Sequence, residues 1–237
     1  EGCLTVADQY LAAIERLHQY DLESYLSIKP PALRFDCSLA AELAAAAHAH
    51  SIRVHCDSHG PEVADPSHAM LEAMIVATST EKLGTTLPGR WQRSVADAEW
   101  AVDLNVPVRV VKGQWPDPAD PHRDPSAGFL EVVDRLAGRA RHVAVASHDL
   151  PLAAEAISRL RASETPCGLE LLSGLPMKRS LHWARENDVK VRVYVPYGKG
   201  YVPHAVSHLR RNPRIAWWIL KDLLTIGDRT SRLSSGS

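Results

Sequence analysis

The sequence predicts an α/β fold of the (β/α)8 TIM-type barrel class, and three observations support this prediction. Helix and strand patterns alternate about seven times along 237 residues, a length that suits one such barrel. The predicted strands are short and mostly apolar, as expected for a parallel sheet that is buried on both faces. No glycine-rich dinucleotide motif is present, which favours a barrel over an open Rossmann sheet.

The chain begins with a helical pattern, and the number of predicted strands is one short of eight. We therefore expect the first strand of the barrel to be missing from this sequence. The remaining pattern predicts a single barrel domain at residues 1–230. Residues 231–237 are polar, and we expect them to form a disordered tail.

Each predicted strand has a local reason to form or to end. The first strand stops at Lys29-Pro30-Pro31, because proline cannot donate a hydrogen bond to a ladder. The third is closed by Pro88-Gly89, and the fourth has the strongest strand pattern in the chain. The strands are predicted at 24–28, 52–56, 83–87, 106–111, 142–146, 169–172 and at the start of 189–198.

The helices are predicted from apolar periodicity and from capping patterns. Residues 5–8 and 94–97 match the capping box, so we expect one helix to begin at each of these sites. After the first box, apolar residues at 6, 10, 11, 14 and 17 share one helical face. Further helices are predicted at 39–50, 66–77, 94–104, 128–137, 152–160, 177–186 and 206–211.

The composition excludes several classes of function. With 27 basic and 28 acidic residues, the formal charge of −1 argues against a nucleic-acid or membrane surface held by bulk electrostatics. The four cysteines lie far apart without a C-x-x-C motif, which indicates reduced thiols in a cytoplasmic protein rather than disulfides or a zinc site. We expect no transmembrane helix and no signal peptide.

The active site of a barrel of this class lies at the carboxyl ends of its strands. The residues at those positions are rich in cations and contain no pair of facing carboxylates, which disfavours glycosidase chemistry. Ser147, His148 and Asp149 are consecutive and cannot form a catalytic triad by themselves. The cationic site favours an anionic ligand, such as a phosphate-bearing cofactor or a carboxylate substrate. The selected residues are Lys29, His55, Asp57, Arg109, Lys112, Ser147, His148, Leu172 and Tyr194.

The segment 189–211 combines a predicted strand carrying Tyr194 with a predicted helix that ends in Arg210 and Arg211. Arginine has a planar set of donors that can bind a carboxylate through two hydrogen bonds at once. The sequence therefore predicts that this segment binds a small carboxylate.

Six segments, in order, make the chain similar to the proline dehydrogenase family. The resemblance covers nearly the whole chain. It implies a flavin-dependent (β/α)8 barrel that oxidises L-proline to pyrroline-5-carboxylate in proline catabolism and passes electrons to a quinone. The segments are Ser27-Ile28-Lys29, VPVRVVKG (106–113), ASHD (146–149), GLELLSG (168–174), VRVYVPYG (191–198) and HLRR (208–211).

The resemblance also implies roles for individual residues. Arg210 and Arg211, with Lys29, would bind the carboxylate of proline, Tyr194 would stack on its ring, and Leu172 would form an apolar wall. The cofactor would be FAD. A cation near the pyrimidine edge of the flavin would stabilise its reduced form. The residues implied to contact FAD are Arg109, Lys112, Gly113, Gln114, Trp115, Ser147 and His148.

Arg109 and Lys112 are three residues apart, so in a regular strand their side chains would point to opposite faces. One of them must therefore lie beyond the strand end, and the neighbouring Gly113 favours Lys112. The implied partners are a proline-like substrate and a quinone, without nucleic acid. The expected location is cytoplasmic, with a peripheral contact to a membrane.

Three positions depart from the family pattern. His55-Cys56-Asp57 stands in place of an Asp-x-Glu strand end, Pro88 in place of a glutamine, and Arg214 in place of a glutamate. Two alternatives therefore stay open. One is a metal-dependent barrel hydrolase that uses His55, Asp57, His59 and His148. The other is a catalytically degenerate barrel that binds flavin.

Overall fold

The protein is described here by a computed structural model that covers residues 2–197. The predicted helix at 206–211, which includes Arg210 and Arg211, and the predicted tail at 231–237 lie outside these residues. No helix in the described part of the chain has both the length and the apolar character needed to span a bilayer.

Seven strands and seven α-helices alternate along residues 2–197. Three short 3-10 helices also occur, at Pro30–Leu33, Pro61–Val63 and Thr80–Lys82. The strands are β1 Tyr25–Ile28, β2 Arg53–Cys56, β3 Leu83–Pro88, β4 Val108–Val111, β5 Val143–Ala146, β6 Cys167–Leu172 and β7 Val191–Tyr194. The helices are α1 Cys3–Gln19, α2 Cys37–Ala49, α3 Ala64–Ala77, α4 Ser94–Asp103, α5 Pro125–Leu136, α6 Leu150–Ala162 and α7 Lys178–Glu186.

The strands follow the order β1-β2-β3-β4-β5-β6-β7 in a parallel sheet. An uncrossed order of βα units is the topology of a (β/α) barrel, so the predicted fold class is confirmed. The seven described strands are one fewer than the eight of a complete barrel. Lys112 follows the last residue of β4, as the sequence predicted.

The described residues fall into two compact units. One comprises residues 2–146 with Pro151–Gly168 and carries β1 to β5. The other comprises Ser147–Leu150 and residues 169–197, and it carries β7 and most of β6.

Strand alternation separates an apolar face from a polar one in the first unit. Val108, Val110 and Val143 are fully buried, as expected for β-branched residues on the face that helices cover. Arg109 lies between two of these valines, and its side chain points to the opposite face, where it is also buried. The polar residues of the candidate site are therefore on the interior face of the sheet.

Neither predicted capping box forms, and α1 begins before its predicted site, whereas α4 begins at Ser94 as predicted. Helix α1 starts at Cys3 after Gly2, which places residues 5–8 inside the helix. Helix α4 follows Arg93 without a side-chain cap, because the carboxylate of Asp97 binds the Arg93 guanidinium instead. Asp36 and Asp124 cap α2 and α5 by accepting bonds from backbone N–H groups, a role that the sequence analysis did not identify.

The start of α5 packs directly against the backbone that follows β3. A Cβ placed on Gly128 would collide with the carbonyl oxygen of Gly89 and would lie 2.8 Å from Arg123 Nε. Arg123 Nε also donates to the Gly89 oxygen at 3.0 Å. This close backbone approach therefore requires glycine, and it holds α5 next to the loops after β3 and β4.

We expect Gly128→Ala to lower the free energy of unfolding by about 1–3 kcal/mol, because the added methyl group overpacks a backbone contact. At an unhindered helix position the same change would instead stabilise by up to about 1 kcal/mol. The matched control is Ala127→Gly at the neighbouring exposed position, which should cost about 1 kcal/mol through helix propensity alone. Urea unfolding measures all three proteins, and a Gly128→Ala variant more stable than the wild type would contradict the prediction.

Candidate active site

The candidate site in the first unit is built from side chains at the strand ends. Lys29 follows β1, Asp57 follows β2, and Arg109 lies within β4. The Asp57 backbone N–H donates to the Ile28 carbonyl oxygen at 2.9 Å, which extends the β1–β2 pairing past the end of β2. The parallel register therefore brings Lys29 and Asp57 to the same edge of the sheet.

Arg109 is the centre of this cluster, and its side chain is only 5% exposed. Its Nη1 donates to Asp57 Oδ1 at 2.6 Å, forming an ion pair. Its Nη2 donates to the hydroxyl oxygens of Tyr25 at 2.6 Å and Ser27 at 3.1 Å. A buried ion pair is tolerated when further hydrogen bonds satisfy its atoms, and the two hydroxyl groups of β1 have this role.

Lys29 is the more accessible cation, with its side chain 48% exposed. Its Nζ lies 3.9 Å from Asp57 Oδ2, so Asp57 faces one buried and one half-exposed cation. The Lys29 backbone N–H donates to the Tyr10 hydroxyl at 3.0 Å, which ties α1 to the end of β1. Burial raises the pKa of Tyr10, so its phenol is neutral at physiological pH.

His55 is buried on the interior face beside Arg109. Its Nε2 is hydrogen-bonded to Thr86 Oγ1 at 2.9 Å, and its ring lies 5.7 Å from the Tyr25 ring. Gly84 provides the space for the imidazole, because a Cβ there would lie 2.5 Å from His55 Nδ1. Burial, and then the charges of Arg109 and Arg53, hold the pKa of His55 well below its usual range.

The loop after β4 carries four of the residues predicted to contact the cofactor. Gly113 has a φ of +94°, a conformation that favours glycine, and a Cβ there would lie 2.8 Å from the Pro88 Cβ. Trp115 is half-buried and its ring lies 5.4 Å from the His59 ring. Lys112 is half-buried and Gln114 is exposed. The structure therefore keeps these four residues in one turn next to the end of β3.

The second unit holds Ser147, His148, Leu172 and Tyr194. His148 Nε2 accepts a hydrogen bond from the Leu172 backbone N–H at 2.8 Å. On the other side of the ring, His148 Nδ1 donates to the Pro176 carbonyl oxygen at 3.3 Å. Burial lowers the pKa of His148, which favours this neutral tautomer. Leu172 and Tyr194 are partners in the β6–β7 register. His148 therefore fixes the end of β6, and its contact with a cofactor stays a prediction.

Sequence reasoning missed four polar residues that shape the site: Tyr10, Tyr25, Ser27 and Thr86. Tyr25 and Ser27 alternate with Lys29 along β1, and this two-residue period was a usable signal for the interior face. Tyr10 had no comparable signal, because its spacing on α1 is that of an ordinary apolar helix face. His55 and Asp57 were selected by the strand-end rule, and the structure brings Asp57 together with Lys29 and Arg109.

Known proline dehydrogenases are similar to this chain along most of its length. Proline dehydrogenase 1 of Bacillus subtilis (strain 168) is 26% identical over 233 residues, which cover 92% of this chain and 76% of that protein. The proline dehydrogenase of Deinococcus radiodurans is 22% identical over 238 residues, covering 94% of this chain and 76% of the relative. No family model matches the chain.

Solved structures of proline utilization A (PutA) share the fold. The structure of PutA with proline bound in remote sites has a TM-score of 0.75 and 17% identity over 92% of this chain. PutA from Bdellovibrio bacteriovorus, inactivated by N-propargylglycine, has a TM-score of 0.75 and 15% identity over 88% of the chain. This chain spans 27% and 28% of those two proteins, so they are compared with it only through their matching regions.

The fold and the strand-end residues define a (β/α) barrel with a cationic site. The relatives confirm the resemblance to the proline dehydrogenase family that was identified from the sequence, and this chain is similar to members of that family over 92% of its length.

The burial of His55 predicts a pH dependence of stability. The folded pKa of His55 lies below its unfolded value of about 6.5, so between these two values the unfolded chain binds a proton that the folded chain excludes. The stability associated with neutral His55 is therefore complete above about pH 6.5 and is lost as the pH falls toward the folded pKa, at up to about 1.4 kcal/mol per pH unit.

We expect His55→Gln to flatten the pH dependence of the free energy of unfolding below neutral pH, measured by urea unfolding at several pH values. The control is His122→Gln, which removes an exposed histidine. A proton NMR titration of the wild-type His55 ring provides an independent measurement. A His55 ring that titrates near its usual pKa would contradict the prediction, as would an unchanged slope in the variant.

Proposed function

We propose that this chain is a flavin-dependent oxidoreductase that oxidises L-proline or a related cyclic secondary amino acid, with pyrroline-5-carboxylate as the product from proline. The observation that carries the proposal is the Lys29–Asp57–Arg109 cluster at the strand ends of a barrel whose relatives are named proline dehydrogenase. Two cations around one carboxylate favour an anionic ligand there.

FAD is the proposed cofactor, and the residues of the first unit fit it in their chemistry. The left-handed turn at Gly113 brings the backbone close to Pro88 with no side chain between them, and Arg109 and Lys112 supply cationic donors on either side of the end of β4. Bound flavin would supply the hydride acceptor. The proposed contacts are Arg109, Lys112, Gly113, Gln114, Trp115, Ser147 and His148.

The substrate is proposed to bind through its carboxylate and its ring. Lys29, Arg210 and Arg211 would hold the carboxylate, Tyr194 would stack on the ring, and Leu172 would form an apolar wall. A hydride would leave the ring carbon next to the secondary amine. No strong general base is required if the amine binds in its neutral form, which agrees with the absence of a facing carboxylate pair at the predicted strand-end positions.

Electrons would pass to a quinone, and we propose a cytoplasmic protein that contacts a membrane peripherally. The metal-dependent hydrolase alternative lacks support from residues 2–197, where no group of three His, Cys, Asp or Glu side chains could hold a metal ion. His55 is instead bonded to Thr86, and His148 to the backbone near β6.

The decisive experiment combines flavin binding with reduction by substrate. We expect the full chain to bind FAD and to lose its visible flavin absorbance when L-proline is added anaerobically, while D-proline serves as the stereochemical control. Flavin binding without reduction by proline would favour a catalytically degenerate barrel. A colourless protein with stoichiometric zinc would contradict the proposal and favour the hydrolase.

We expect Lys29→Met and Arg211→Ala each to raise KM for proline, or the Kd of a cyclic ether carboxylate analogue, roughly ten- to hundred-fold through loss of one charged hydrogen bond. Flavin content should be unchanged in both variants. Arg109→Met is the contrasting variant and should lower flavin content. Unchanged analogue affinity in the first two variants would mean that these residues do not hold the carboxylate.

A further inference from the structure

Arg90 lies in the loop after β3, which is hydrogen-bonded to the loop after β4. The Gly89 N–H donates to the Val111 carbonyl oxygen at 2.8 Å, and the Arg90 N–H donates to that of Lys112 at 3.0 Å. These two bonds continue the β3–β4 ladder past the end of β3. The backbone of Arg90 is therefore fixed directly beside Lys112.

Two side-chain bonds stabilise the same junction. Trp91 is buried, and its Nε1 donates to the Trp115 carbonyl oxygen at 3.0 Å. The Gln92 backbone N–H donates to Asp117 Oδ2 at 2.8 Å. A Cβ placed on Gly113 would lie 3.2 Å from the Arg90 Cβ, so Arg90 borders the left-handed turn at Gly113. Arg90 is thus held rigidly beside the loop that carries four proposed cofactor contacts.

One nitrogen of the Arg90 guanidinium lacks an acceptor within residues 2–197. This nitrogen, Nε, is buried there without a hydrogen-bond partner. Arg93, three residues further on, binds both Asp65 and Asp97. A buried donor without a partner is costly, and its presence in a folded protein calls for an explanation such as a ligand.

We propose that Arg90 is a cofactor-binding residue whose guanidinium donates to an oxygen acceptor of the flavin nucleotide. This inference rests on the proposed function and adds a residue that neither the sequence patterns nor the family resemblance selected. The acceptor oxygen has two sources, a phosphate group and the carbonyl edge of the flavin ring. Guanidinium donors match both, and a phosphate offers the stronger charge-assisted bonds.

The test compares the wild type with Arg90→Met, which keeps the apolar stem and removes every guanidinium donor. Titrations of the flavin-free full chain with FAD, FMN and riboflavin, followed by flavin fluorescence, give the three Kd values. We expect Arg90→Met to weaken FAD binding roughly ten- to hundred-fold, as loss of a charge-assisted hydrogen bond does. Weakening confined to FAD and FMN identifies the phosphate, and equal weakening of riboflavin identifies the flavin ring.

Arg90→Lys should bind FAD with intermediate affinity, and Arg16→Met, at an exposed arginine of α1, is the matched control and should change nothing. The flavin-free Arg90→Met protein should be at least as stable to urea as the wild type, because it loses an unpaired buried donor. If the wild type binds FAD and Arg90→Met binds it with the same affinity, the inference about Arg90 is overturned while the proposed function stands. Lower stability of the flavin-free variant would assign Arg90 a structural role, and a wild type that binds no flavin would overturn both proposals.

Discussion

The buried guanidinium of Arg109 is the interaction on which the geometry of the site depends. Arg109 lies on β4, yet it bonds to Tyr25 and Ser27 on β1, with β2 and β3 between these strands in the sheet. In a flat sheet, strands three positions apart are separated by roughly 14 Å, which is too far for one side chain and a hydrogen bond. The sheet from β1 to β4 must therefore be strongly curved, and Arg109 connects these two strands across its interior.

The same interaction explains why the interior of this unit is polar. A buried guanidinium requires a counterion and further acceptors, and Asp57, Tyr25 and Ser27 supply them. The Tyr25 ring also lies 5.0 Å from the Arg53 guanidinium and 5.6 Å from that of Arg109, a cation–π arrangement. Losing Asp57 would remove the carboxylate that pairs with the buried Arg109 guanidinium, and removing one partner of a buried ion pair costs about 3–5 kcal/mol.

The strand order and most of the strands were predictable, because apolar β-branched runs and prolines are local signals. The start of α1 and the cap of α4 were not, because Gly2 and the Arg93–Asp97 contact decide them against the capping-box pattern. The strand-end rule found Lys29, Asp57 and Arg109. It could not find Tyr10 or Thr86, whose roles depend on contacts between elements that are distant in sequence.

His55 departs from the residue type of the family pattern, and the groups around it determine the protonation state of its side chain. The family resemblance implies a carboxylate at this position, next to the guanidinium of Arg109. Here the imidazole is neutral, because burial and the charges of Arg109 and Arg53 lower its pKa well below the usual range. Asp57 pairs with both Lys29 and Arg109, so two cations lie around one carboxylate in this cluster. An anionic ligand of the kind proposed above would be attracted by these two cations, so its charge would contribute to its affinity.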